Sequence, residues 1–279
     1  MKLTADALKP APAENSPPLR IMKLQLLPST FDANGTISQR QHLSCFVIDD
    51  RVAIDAGSLA MAATITQKNQ IRNVVLTHAH LDHIAGLPLF IDDLFAVLDA
   101  PIDVYATAEV VEILERDVFN WEIYPRFSEL SNERGAVLRY RYFEAGKEFS
   151  VEHLQLKPIA VNHKVPSVGF IISDRQTTVA LTGDTAETND FWRAVNRETN
   201  LSALLIECAF PNELEELAET SHHLTPHRLK KELSKFDRRD CAVYVVNIKP
   251  MYRESIVRQL EELLIENLHI LEIGRVYEW

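Results

Sequence analysis

The chain has 279 residues, 46% of them apolar and 25% charged, which is the composition of a folded protein with a sizeable core and not of a disordered one. Forty acidic residues against 29 basic ones leave a formal charge of −11. That balance argues against a large nucleic-acid footprint, because binding phosphate chains needs a basic surface.

No apolar run approaches the length of a transmembrane helix, and no apolar leader opens the chain. Cys45, Cys208 and Cys241 are scattered and odd in number, so they read as reduced thiols and not as a disulfide framework. A cytoplasmic location and no membrane partner are the expectation.

Residues 1–20 carry four prolines among small and polar residues and read as a flexible arm; residues 21–279 read as one domain. A first strand is predicted in Ile21–Ser29. The runs 43–49 and 51–57 flank Asp49-Asp50 and predict a hairpin. Residues 71–77 predict a strand, 84–98 a helix, 101–107 a strand and 108–120 a helix. Residues 121–150 hold WEIYPRF, then polar loop signals, then the stretch that begins YRYF. Strand-like runs follow at 154–163, 168–174, 176–184 and 203–210. The segment 241–250 is another strand, set between amphipathic helices at 227–236 and 254–268. Early hairpins followed by alternating strands and helices predict a layered α/β architecture with mixed sheets.

The strongest chemical signal is Thr77-His78-Ala79-His80-Leu81-Asp82-His83. It places three of the chain's 10 histidines and one aspartate at a strand-to-helix junction. An extended segment puts His78 and His80 on one side, and a turn into a helix near Ile84 would bring Asp82 and His83 round to a neighbouring point. Imidazole and carboxylate suit Zn²⁺, Mn²⁺ or Fe. His163 and Asp184 each end an apolar strand, and a carboxylate in such a place can bridge two cations.

H-x-H-x-D-H followed by a distant histidine and a Gly-Asp resembles the metallo-β-lactamase superfamily. The resemblance implies an αββα sandwich of two mixed sheets flanked by helices, with a binuclear site at one edge. By that resemblance His78, His80 and His163 hold the first divalent ion, Asp82 and His83 the second, and Asp184 bridges them. The stretches around Glu207–Asn212 and Ser221–Pro226, with VNIKP at 246–250, are similar to class II 3′,5′-cyclic-nucleotide phosphodiesterases. The related ribonuclease Z branch adds an implied role: His223, not His222, is the proton donor, supported by Glu207.

One position departs from the pattern. Asn247 stands where the family usually has a histidine for the second metal, and an amide oxygen is a poorer zinc ligand than imidazole. A weak second site is therefore expected. Phe119, Trp121, Tyr124 and Phe127 read either as a lid that stacks a nucleobase or as core packing, and both readings stay open. Lys249 and Arg253 read as solvated charges, with a phosphate contact as the other option.

The resemblance implies hydrolysis of a small cyclic nucleotide to a monophosphate by a metal-bound hydroxide, with a histidine general acid. Three alternatives stand beside it: a ribonuclease Z-like tRNA 3′-processing endonuclease, a thioester or lactone hydrolase of the same superfamily, and a degenerate nucleotide-binding member without turnover. Ile206, where the ribonuclease Z branch has a histidine, weighs against the first. The family also implies that homodimers occur.

Overall fold

The computed structural model describes residues 21–279, so the expected arm at 1–20 lies outside the described residues. In the first half the strands are β1 (Lys23–Leu26), β2 (Phe46–Ile48), β3 (Val52–Ile54), β4 (Asn73–Val75) and β5 (Ile102–Ala106). A two-stranded hairpin, β6 (Ser131–Asn132) with β7 (Gly135–Ala136), precedes β8 (Leu138–Tyr142). The second half contributes β9 (Phe149–Val151), β10 (Leu154–Ala160), β11 (Val168–Ser173), β12 (Thr178–Leu181), β13 (Leu201–Glu207), β14 (Ala242–Val246), β15 (Leu268–Ile270) and β16 (Val276–Glu278).

Two seven-stranded sheets result, in the orders β16-β1-β2-β3-β4-β5-β8 and β15-β14-β13-β12-β11-β10-β9. Both are built alike. β16, β1, β2 and β3 pair antiparallel, and β3, β4, β5 and β8 pair parallel. In the other sheet β9 to β12 pair antiparallel and β12 to β15 parallel. The predicted hairpin is the β2–β3 pair, with Ile48 opposite Val52.

Side-chain alternation makes the layers. On β13, Ala203 and Leu205 enter the core between the sheets, while Leu204 and Ile206 enter the core under the outer helices. On β3, Val52 and Ile54 face the inter-sheet core and Ala53 the opposite one. A strand whose two faces are both apolar must be covered on both sides, which is why helices flank each sheet. The architecture is the expected αββα sandwich.

Several boundaries differ from the sequence expectation; the helix expected over 254–268, for instance, ends at Glu261. The helix predicted over 108–120 is α-helical only in Ala108–Ile113 and winds as a wider π-turn over Leu114–Val118. The helix expected to start near Ile84 begins at Leu81, with His80 as its N-cap residue.

Every parallel strand points its C-terminal end toward one edge of the sandwich. Asp55 follows β3, His78 follows β4, Asp184 follows β12, Glu207 closes β13 and Asn247 follows β14. That is where an α/β sheet gathers a site.

Candidate metal centre and active site

The histidine segment is fixed from behind by backbone contacts. Ala56 N–H donates to the His83 carbonyl at 2.7 Å, and Ser44 N–H donates to that of Asp82 at 2.8 Å. Gly57 lies against the same carbonyl, and a Cβ there would overlap Asp82 O and the Ser44 backbone. His80 is extended (φ −66°, ψ 147°), so the chain turns into the helix Leu81–Ile84 immediately after it. Asp82 thus sits in the first helical turn, where the exposed N–H groups favour a carboxylate.

The structure brings His78, His80, His163 and Asp184 together, with one ligand atom from each lying within 4.8 Å of the others. His78 is fully buried, and its Nε2 has no hydrogen-bond partner among the described residues. Asp184 Oδ2 lies 3.9 Å from that nitrogen. His80 Nδ1 and His163 Nε2 face each other at 3.2 Å. His163 is oriented by its other ring nitrogen, which donates to the His222 carbonyl at 3.1 Å. Burial pushes His78 and His80 below the ordinary imidazole pKa and brings His163 down to about 4. Neutral imidazoles with lone pairs turned to one point are what a divalent cation requires, so these residues fit a metal ion.

Asp55 is a residue of the candidate site that sequence reasoning missed. Its Oδ1 accepts from the Thr77 N–H at 2.8 Å, and its Oδ2 lies 2.9 Å from Thr77 Oγ1 and 2.7 Å from His83 Nδ1. Thr77 Oγ1 gives its one proton to Asp55 and therefore accepts from His78 Nδ1 at 3.0 Å. One carboxylate thus holds two imidazoles, His83 directly and His78 through Thr77, each with Nε2 turned inward. The only signal in the sequence was an Asp at a strand end before Ala56-Gly57.

A second group of donors, Asp82, His83 and Asp184, also gathers within 4.8 Å. His83 Nε2 is 3.3 Å from Asp184 Oδ2. Burial opposes a proton on His83, but Asp184 and Asp55 outweigh it and hold the ring well above its ordinary pKa. Burial would likewise raise the Asp184 carboxyl, and His83 instead keeps it well below the carboxylate range. The structure places Asn247 here in a left-handed conformation (φ 53°), and its Nδ2 donates to Asp184 Oδ1 at 2.6 Å. Lys249, read from sequence as solvated, instead forms an ion pair with Asp82 at 3.1 Å. Burial works against its charge, but Asp82 and Asp184 raise its pKa.

His223 and Glu207 adjoin the cluster. His223 Nδ1 and Glu207 Oε1 are 2.7 Å apart, and the His223 ring centre is 5.1 Å from that of His163. Glu207 is fully buried, and burial raises its pKa. It also accepts from the N–H groups of Thr185, Ala209 and Leu224. His222 turns outward at the left-handed end of the helix Glu215–Ser221 and bonds Asn162 Oδ1 at 2.9 Å. It does not cap the next helix; Thr225 does, accepting from Arg228 N–H. Of the aromatic group, Phe119 and Phe127 are core residues, Tyr124 packs on them with its hydroxyl on Asp92, and Trp121 is exposed.

Comparison with known proteins follows these features. The family described as the beta-lactamase superfamily domain matches residues 50–241. A Yersinia pestis protein named "Probable 3′,5′-cyclic-nucleotide phosphodiesterase" is 26% identical over 237 residues, covering 75% of this chain and 67% of that one. A 3′,5′-cyclic-nucleotide phosphodiesterase of Aliivibrio fischeri is 27% identical over 184 residues, 60% of this chain and 54% of its own. The chain thus spans between half and about two thirds of these relatives. The unliganded crystal structure of yeast PDE1 superposes with a TM-score of 0.73 at 17% identity, covering 92% of this chain and 99% of that one, which shows a shared fold. The family match takes in the strand ends that carry the histidine cluster and Asp184, and the chain belongs to the beta-lactamase superfamily.

Proposed function

We propose that this chain is a metal-dependent phosphodiesterase that opens 3′,5′-cyclic nucleotides to nucleoside monophosphates. The observation that carries the reading is the 2.7 Å hydrogen bond between His223 and Glu207, set beside the histidine cluster. An imidazole gripped through Nδ1 by a buried carboxylate keeps Nε2 free to give up a proton. The names of the two curated relatives support the same activity.

His78, His80, His163 and Asp184 would hold the ion. When bound, such a cation supplies a nucleophilic water at neutral pH and offsets charge on the phosphoryl group. The chain's own part is to orient and to move protons. Asp55 and Thr77 fix the ring planes of His83 and His78. The attacking water gives up one proton to bulk solvent as its oxygen bonds to phosphorus; as the bond to the ribose oxygen breaks, the electron pair leaves on that oxygen, and His223 protonates it. Burial works against a charged His223, but Glu207 and Asp184 outweigh it and raise its pKa above the ordinary imidazole value, which favours the proton-bearing form. The formal charge of −11 disfavours the tRNA-processing alternative, since a small diester needs no extended basic surface.

The test is a panel of 3′,5′-cyclic mononucleotides, cyclic dinucleotides and precursor tRNA, each incubated with Zn²⁺- or Mn²⁺-loaded protein and resolved by chromatography. Cyclic mononucleotides are expected to open fastest. Preferential cleavage of precursor tRNA, or binding without turnover, would overturn the reading.

A further inference from the structure

The two donor groups differ in what the chain already does with them. In the first, His78 Nε2 has no hydrogen-bond partner among the described residues, and His80 Nδ1 and His163 Nε2 face each other across 3.2 Å. Facing nitrogens of this kind are reconciled by a shared cation. In the second, His83 Nε2 likewise has no hydrogen-bond partner among the described residues and lies 3.3 Å from Asp184 Oδ2, but one oxygen of each carboxylate is engaged by a short turn after β14.

Asn247 Nδ2 donates to Asp184 Oδ1 at 2.6 Å, and two residues on, Lys249 Nζ reaches Asp82 Oδ2 at 3.1 Å. An amide facing a carboxylate this closely must present its N–H and not its oxygen. Neither that group nor an ammonium can ligate a metal. A divalent ion placed among Asp82, His83 and Asp184 would meet Asp184 Oδ2 and His83 Nε2 but find no ligand on Asn247, and it would stand beside the positive charge of Lys249.

We propose that the centre is mononuclear and that Lys249 stands where a second ion would. Its ammonium, anchored by Asp82 at the half-buried mouth of the site, contacts a non-bridging oxygen of the phosphate ester. Asn247 is a positioning residue that holds Asp184 toward the single ion. The charges agree with this arrangement. One divalent ion and Lys249 set against Asp82 and Asp184 leave a single positive charge, the complement of a diester monoanion. The metal count is independent of the substrate, whereas the phosphate contact rests on the phosphodiesterase reading.

The experiment loads metal-free protein with Zn²⁺, removes the excess by gel filtration and counts zinc by mass spectrometry. The wild-type chain is expected to retain one zinc ion, and the double variant Asn247→His/Lys249→Gln to retain two. Two ions retained by the wild type would overturn the proposal. Binding of inorganic phosphate to the zinc-loaded protein, followed by calorimetry, tests the second half. Lys249→Gln should weaken it at least about tenfold with one zinc still bound, and Lys249→Arg should restore most of the affinity. Unchanged phosphate affinity in Lys249→Gln would remove the lysine from this role. If the zinc count and the phosphate effect hold while no cyclic nucleotide turns over, the phosphodiesterase reading falls and the site assignment stands.

Discussion

Asp55 Oδ2 lies 2.7 Å from His83 Nδ1 while Asp55 Oδ1 accepts from the Thr77 N–H at 2.8 Å, so one buried carboxylate ties the end of β3 to both ends of the histidine segment. The pair joins residues 28 positions apart through the parallel pairing of β3 with β4. Asp55→Asn keeps the size but can no longer accept from both Thr77 and His83. Loss of such an outer partner costs roughly 10–100-fold in metal affinity. Competition for zinc against a chromogenic chelator measures it, and wild-type affinity would show that the rings hold their orientation without Asp55.

Gly57 gives a second, steric test. Its Cα lies so close to the Asp82 carbonyl that any side chain overlaps it and the Ser44 backbone. Gly57→Ala should therefore push the segment 82–83 away from Ala56 and Ser44. A loss of about 1–3 kcal/mol in folding stability is expected, the range for overpacking a tight contact, with zinc lost alongside. Denaturant unfolding and zinc analysis read the two effects. A stable, fully metallated variant would mean that the backbone yields without cost.

Much of this was legible in the sequence, for physical reasons that also mark its limit. The unbroken apolar runs Ala203–Ile206 and Val52–Ile54 report strands covered on both faces, and so a layered fold. Three histidines and an aspartate within six positions are a local pattern and need no tertiary knowledge. Asp55 carries no such pattern: an Asp after a strand looks like any turn residue until β3 and β4 are paired. Lys249 was read as solvated because its partner, Asp82, is 167 residues away in the chain. Asn247 was expected to offer an oxygen; the left-handed backbone and the proximity of Asp184 instead call for its N–H. The wider turn at Leu114–Val118 shares the apolar spacing of an ordinary helix, and periodicity does not separate the two.

His222 and His223 separate cleanly by geometry. Among the described residues the His222 side chain hydrogen-bonds the exposed Asn162 Oδ1, but its backbone carbonyl holds His163 Nδ1 at 3.1 Å. Its φ of 58° is a conformation glycine adopts freely. His222→Gly should therefore retain the carbonyl, the metal and most of the activity. A deep loss in His222→Gly would transfer the functional role to that ring.

His223→Ala should lower kcat by roughly 10²–10⁴-fold on a cyclic nucleotide, the range for a lost general acid. Zinc content should stay at the wild-type level, because the ring is held by Glu207 and not by the proposed ion. A nitrophenyl phosphodiester, whose leaving group needs little protonation, should suffer far less, and equal losses on both substrates would remove His223 from the role. The pH profile supplies the sign. The protonated ring is the active form, and although burial lowers its pKa, Glu207 and Asp184 raise it above the ordinary imidazole value by a larger amount. Activity dependent on His223 should thus fall as pH rises through that raised value. Glu207→Gln removes the negative charge beside Nδ1, the largest influence that raises the pKa, and leaves burial to lower it. The alkaline limb of kcat should then move to lower pH. His223→Ala should lose this limb altogether on the cyclic nucleotide. A limb that stays in place in Glu207→Gln would assign it to a group other than His223.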